Sequence, residues 1–140
     1  MKPLEVALSE YGKEAYPGTK TNPEVLKYFT ETGYTFIHDD ETPWCAAFLN
    51  WVLQKCKIDH PNKLNARSFL EMKHATSTPE LGDIVILWRI NPIGALGHTG
   101  LYIRENKNLI WILGGNQNST VNIRAFPKNQ LLGYRSLAKI

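Results

Sequence analysis

The hydrophobic pattern of the chain changes period once, near Pro79. Before that point apolar residues recur at helical spacing. In "PLEVALSEYGK" the residues Leu4, Leu8 and Tyr11 share one face, and Gly12 marks a stop. In "NPEVLKYFTETG" Asn22 reads as the N-cap, Pro23 as the first helical residue and Gly33 as the end. In "TPWCAAFLNWVLQKC" Thr42 reads as N-cap and Pro43 falls in the first turn, followed by Trp44 and Cys45. From Trp44 to Leu53 only Asn50 is polar, and a helix apolar nearly all round is a buried one. This segment is therefore predicted as the central helix, packed on a sheet. "NARSFLEMK" predicts one more short helix.

After Pro79 the pattern is strand and turn. "DIVILWRI", "GHTGLYIREN", "NLIWILGG", "STVNIRAF" and "LLGYRSLAK" follow one another at hairpin-like spacing, with Asn, Gly and Lys at the junctions. Helices first and sequential strands afterwards predict an α+β fold: N-terminal helices packed on a mostly antiparallel sheet of about five strands. Alternating β-α-β order is missing, and so is a Gly-rich phosphate loop, which argues against a doubly wound nucleotide fold.

Composition narrows this only a little. The 140 residues make one domain, spanning 1–140, long enough to fold without a disulfide or metal. The net charge of +3 suits an anionic polymer, but the basic residues are scattered and form no aromatic-interleaved stripe, so no nucleic-acid partner is expected. No apolar run approaches the roughly 20 residues of a membrane span, so stable membrane insertion is not expected either. "MKPLEVALSEYGKEAYPG" lacks the apolar core of a secretion signal. The expectation is synthesis in the cytoplasm, with any action outside it following release.

The two cysteines carry the candidate chemistry. Cys45 and Cys56 lie on one helix with Cα atoms roughly 16 Å apart at ~1.5 Å per residue. A disulfide needs roughly 4.4–6.8 Å, so they read as thiols. Cys45 sits in the first turn, where free N–H groups and the helix dipole favour a thiolate. Cys56 sits at the opposite end. Asp39, Asp40 and Glu41 stand just upstream and would oppose a thiolate if close. The plain alternative is that Cys45 is a small buried hydrophobe.

A nucleophilic cysteine needs an imidazole and a group that orients it. His38, His60 and His74 lie in polar connections or at a helix end and read as surface histidines. His98 opens the strand "GHTGLYI" between Gly97 and Gly100, glycines that leave room for a substrate chain or another backbone. Alternation puts His98, Gly100 and Tyr102 on one face. The next strand ends in Gly114 and Gly115, which would allow a bulge, and then Asn116 and Gln117; either amide would be able to hold the imidazole.

Taken together, "DETPWCAAFLNWVL", "LGDIVIL", "GHTGLYI" and "LGGNQNSTVNI" resemble the NlpC and CHAP superfamily of cell-wall cysteine peptidases and amidohydrolases, in particular its small phage-lysin and secreted lytic branch. The resemblance spans Asp40 to Tyr134. It implies a papain-like domain, with Cys45 as nucleophile, His98 as base and Asn116 as third member. Gly82 and Asp83 then form a structural turn. Where family members carry an acid or a histidine on the third strand, this chain has Gly114, which implies a weaker, neutral orienting group. The implied reaction is hydrolysis of a peptidoglycan amide, in a stem peptide or at the muramoyl–alanine bond, with no cofactor and no metal. The implied partner is bacterial peptidoglycan, with an immunity protein or a release or secretion machinery as further candidates. Trp88 and Tyr102 are candidate groove aromatics, although core packing is the plainer role for each. Two other readings stand beside this one: a zinc site built from His38, Cys45 and His98, which no metal-ligand spacing supports, and a non-catalytic wall-binding module on a degenerate hydrolase fold.

Overall fold

The computed structural model describes residues 2–17, 20–40 and 42–138. Three α-helices precede the sheet: α1 Pro3–Ser9, α2 Pro23–Thr30 and α3 Cys45–Lys55. A 3-10 helix, Ala66–Glu71, takes the place of the fourth predicted helix. The strands are β1 Ala75–Thr76, β2 Ile84–Trp88, β3 Gly97–Glu105, β4 Leu109–Gly114, β5 Asn122–Pro127 and β6 Leu131–Arg135. They form one antiparallel sheet in the order β1-β6-β2-β3-β4-β5. The fold is α+β as expected, with one strand more than expected; the addition is the two-residue β1 beside β6.

Local chemistry accounts for the helices, with two corrections. In α2 the Asn22 side chain accepts from Glu24 N–H at 2.9 Å, Pro23 occupies the first turn, and Gly33 beyond the end takes φ +98°. In α1 the predicted stripe does not form, because the helix ends at Ser9 and Tyr11 lies beyond it. Leu8 and Tyr11 are exposed; the buried face is Val6, Ala7 and Glu10, and Glu10 accepts from the Tyr28 hydroxyl at 2.8 Å. In α3 the N-cap falls two residues later than Thr42. The Thr42 amide and hydroxyl are bound to Asp39 Oδ1 at 2.8 and 3.0 Å, a local turn that competes with capping. Trp44 takes the cap position and Cys45 becomes the first helical residue.

The sheet is buried on both faces. One face packs against the helices around Phe48, Leu49, Val52, Ile84, Ile86, Leu101 and Leu113. Tyr28 lies against Trp44, Phe48 and Trp51 at ring separations of 5.8, 4.9 and 5.2 Å. Truncating a side chain as buried as Phe48 to alanine costs about 3–5 kcal/mol. The other face holds Val85, Leu87, Ile110, Ile112 and Tyr134.

Two sets of hydrogen bonds tie the sheet to the rest of the chain. Gly82, at φ +91°, and Asp83 make the expected turn into β2: the Asp83 carboxylate accepts from Glu80 N–H and Leu137 N–H at 2.8 and 2.9 Å. The N-terminal segment after α1 is tied to the turn before β5. Gly12 N–H donates to Val121 O, Val121 N–H to Lys13 O and Ala15 N–H to Ser119 O, each at 2.8 Å.

Candidate active site

The first turn of α3, the start of β3 and the turn after β4 converge at one end of the sheet. The close approach is made by glycines. A Cβ on Gly115 would lie 2.7 Å from Phe48 Cβ and 2.8 Å from the Trp44 ring, so only glycine lets the β4 turn reach the start of α3. A Cβ on Gly97 would meet Leu87 O at 2.7 Å, and one on Gly100 would meet Ile112 and Leu113 O at 2.5 and 2.8 Å. The glycines beside His98 thus admit neighbouring strands rather than a substrate chain. The glycine pair forms no bulge either: Gly114 stays in register opposite Asn122.

Cys45 and His98 meet here, each 8% exposed. The Cys45 thiol hydrogen-bonds the His98 imidazole, and the backbone N–H groups of Thr99 and Ala46 also point at the sulfur. Burial by itself pushes the thiol up. The imidazolium charge, the bond to the ring and the two backbone N–H groups outweigh it and hold Cys45 below the usual thiol range. His98 moves the other way. Burial and nearby Arg89 push it down, but the Cys45 charge and its hydrogen bond, together with Gln117, hold it above the ordinary imidazole range. Both shifts favour the same state, thiolate beside imidazolium.

The two described upstream acids are occupied elsewhere. Asp40 is buried, and its Oδ2 accepts from Tyr16 N–H and Asn22 N–H at 2.9 and 2.8 Å. Asp39 closes the Thr42 turn. Glu41 lies outside the described residues. Cys56 caps the far end of α3 as a second free thiol, and burial pushes it up.

The third member is corrected by the geometry. Gln117, not Asn116, holds the ring: Gln117 Oε1 lies 2.9 Å from His98 Nε2. The amide cannot face the other way. Its NH2 is surrounded by acceptors, donating to Ile112 O, Asn122 O and Asn122 Oδ1 at 3.0, 2.8 and 3.0 Å. Oε1 therefore accepts from Nε2–H, which leaves Nδ1 for the thiol. Asn116 sits in the left-handed region at φ 56°, as do Asn118 and Ser119 at 57° and 62°. These kinks turn the chain so that Gln117 points inward while Asn116 lines the cleft.

Two further residues hold the centre and were not foreseen. Phe126 stacks on His98 at 4.9 Å between ring centres and 28° between planes. That contact joins β5 to β3 across β4, so the sheet is curved. Arg67 fixes the loop before β3, donating from Nε and Nη2 to Leu96 O at 2.9 and 2.6 Å, from Nη1 to Pro92 O at 3.0 Å and from Nη2 to Asn91 O at 2.8 Å. The period of "NIRAF", which puts Asn122 and Phe126 on one face, was the available signal for Phe126. Nothing local marks Arg67.

A cleft of about 660 Å³ opens over this centre. Its walls include Thr42, Cys45, Trp88, Leu96, His98 and Asn116. Trp88 thus reaches the groove, whereas Tyr102 turns to Glu105, donating its hydroxyl at 3.1 Å. The other histidines stay apart. His60 Nδ1 bonds Ile58 O at 2.8 Å and, with His74, borders a separate groove. His38 does not join Cys45 and His98, and among the described residues no three His, Cys, Asp or Glu side chains converge as a metal site requires.

Chemically, the arrangement supplies a nucleophile with depressed proton affinity, a proton carrier beside it and a neutral group that fixes the carrier's tautomer. Comparison with protein-family models and with curated proteins gives no match to this chain.

Proposed function

We propose that the chain is a cysteine peptidase or amidase that hydrolyses an amide bond of bacterial peptidoglycan, on a papain-like fold of the NlpC and CHAP kind. One observation carries the reading: a thiol at the first position of a buried helix bonds an imidazole whose other nitrogen is held by a locked amide. The choice of peptidoglycan rests on the resemblance of the four motifs from Asp40 to Tyr134.

In the proposed mechanism each of these groups has a role. The Cys45 thiolate attacks the carbonyl carbon of the substrate amide. The Cys45 backbone N–H, which has no intrahelical acceptor at the helix start, donates to the oxyanion that forms. His98, protonated at Nδ1, gives that proton to the amine nitrogen, the C–N bond breaks and a thioester remains on Cys45. His98 then takes a proton from water, the hydroxide attacks the thioester, and the carboxylic acid leaves as the thiol is restored. Throughout, Nε2–H stays bound to Gln117 Oε1, so only Nδ1 exchanges protons.

Digestion of purified peptidoglycan with mass spectrometry of the released fragments tests this. New amino groups are expected without new reducing sugar ends, in the presence of EDTA, and iodoacetamide is expected to stop the release. New reducing ends, or loss in EDTA with recovery on added zinc, would refute it.

A further inference from the structure

Two arginines line the cleft and have no counter-ion among the described residues. Arg89 follows β2 and Arg124 lies in the middle of β5; both are exposed and both line the cleft with Cys45 and His98. Among the described residues no aspartate or glutamate lines it. The carboxylates near other basic residues are taken: Glu10 and Glu24 by Lys27, Glu31 by Lys55, Glu71 by Lys63 and Glu105 by Lys128. Neither cleft arginine joins an ion pair among the described residues. Three other arginines show what a structural guanidinium looks like here. Arg67 and Arg135 spend their donors on backbone carbonyls, and Arg104 lies 3.5 Å over the Trp111 ring. Arg89 and Arg124 do neither.

The position of Arg124 is set by the strand. Residues 122, 124 and 126 share one face of β5. Asn122 binds the Gln117 amide and Phe126 stacks on His98. Arg124 lies between them on that face and lines the same cleft as His98 and Gln117. Arg89 comes from the other side of β3, off the end of β2, close enough for its charge to act on His98. Both cations therefore line the cleft that holds the thiol and the imidazole.

We propose that Arg124 and Arg89 form an anion subsite that binds a free carboxylate of the substrate peptide beside the scissile amide. The inference rests on the amide-hydrolase reading and specifies its substrate: a peptide that carries a carboxylate within a residue or so of the bond cut. A planar guanidinium matches a carboxylate with two parallel hydrogen bonds. Among the described residues no acid of the cleft contests that match.

A stem peptide offers two such groups, the internal glutamyl carboxylate and the C-terminal one. Calorimetric binding to the Cys45→Ala protein, which binds without turnover, separates them. The probes are a synthetic stem tetrapeptide with both carboxylates free, with only the internal one amidated, and with only the C-terminal one amidated. Amidation of one of the two is expected to weaken binding about tenfold or more, since a charge-assisted bond is lost. In Cys45→Ala with Arg124→Gln and Arg89→Gln the same amidation should change binding by less than about twofold, and Arg124→Lys should restore part of the difference. Equal binding of all three peptides, no binding of any, or discrimination that survives loss of both arginines overturns the subsite. Failure of the wild-type protein to release wall fragments is a different result and removes the proposed function instead.

Discussion

The side chain of Gln117 fills the space above Gly114. A Cβ placed on Gly114 would lie 2.6 Å from Gln117 Oε1, the same oxygen that accepts from His98. The orienting group thus comes from the turn and folds back over a strand position that has no side chain. Residue 114 and residue 117 compete for one volume, so only one of them can serve the ring. Gly114→Ala is expected to act through Gln117. Gly114→Ala and Gln117→Ala should each lower the hydrolysis rate by about 10- to 1000-fold, or about 1.4–4 kcal/mol. The double variant should be no worse than the worse single one, because both remove the same contact. Steady-state rates of the three proteins on soluble wall fragments decide this. Additive losses would mean that Gly114 has another role.

Gln117→Glu should not raise the rate of the proposed hydrolysis, although a carboxylate would stabilise the imidazolium better. It replaces the NH2 that satisfies Ile112 O, Asn122 O and Asn122 Oδ1 with an oxygen facing three acceptors. Leaving such buried groups unpaired costs about 1–3 kcal/mol. Thermal unfolding should show a lower midpoint for Gln117→Glu than for wild type, while Asn116→Ala, whose side chain does not hold the ring, should change the rate only slightly.

Cys45→Ala and Cys45→Ser should fold and lose wall hydrolysis by several orders of magnitude, since the covalent route is gone. Cys56→Ala should keep most of the activity, because Cys56 is at the far end of α3. A Cys45→Ala protein that cleaves at near wild-type rate would sink the nucleophile assignment.

The pH profile should be bell-shaped. Cys45 is held below the usual thiol range, so the rising limb of kcat/KM should fall below the ~8.5 of a free thiol. His98 is held above the ordinary imidazole range, so the falling limb, where the ring loses its proton, should lie above ~6.5. Between the limbs the thiolate–imidazolium pair is populated. Gln117 supports the charged ring, so Gln117→Ala should move the falling limb to lower pH. Iodoacetamide should modify Cys45 before Cys56 near neutral pH, since burial pushes the Cys56 thiol up. An ordinary thiol titration at Cys45 would contradict the coupled pair.

How much of this was legible in the sequence depends on the range of the physics involved. The Asn22 cap and the five longer strands follow from local rules and were readable; the Gly82–Asp83 turn was implied by the family resemblance. Cys45 and His98 were readable because a first-turn thiol and a glycine-flanked strand histidine are local patterns. The start of α3 was misplaced because Asp39 claims Thr42, a competition within three residues that propensity does not resolve. The α1 stripe failed because the helix is too short to carry it. The choice between Asn116 and Gln117 turned on three left-handed residues in one turn and on acceptors supplied by Ile112 and Asn122. Arg67 and Phe126 act across the fold, on residues far away in the chain: the period of β5 marks the face that Phe126 shares with Asn122 but not its contact with His98, and nothing local marks Arg67.

The pairing of Gly12, Lys13 and Ala15 with Ser119 and Val121 has a consequence for the order of events in folding. It joins the beginning of the chain to a segment made near its end, and it braces the turn that carries Gln117. The helices need only their own neighbours to start forming, whereas the hydrogen bond at Nε2 of His98 waits for this long-range closure and for β5 behind it. Chemical competence is therefore a late arrival. During refolding, the far-UV helical signal should recover before the enhanced reactivity of the Cys45 thiol, and simultaneous recovery would contradict this order. The same lag applies to a nascent chain: until the residues around Val121 have emerged and docked on Lys13, the protein holds a thiol and a histidine without the amide that orients the ring.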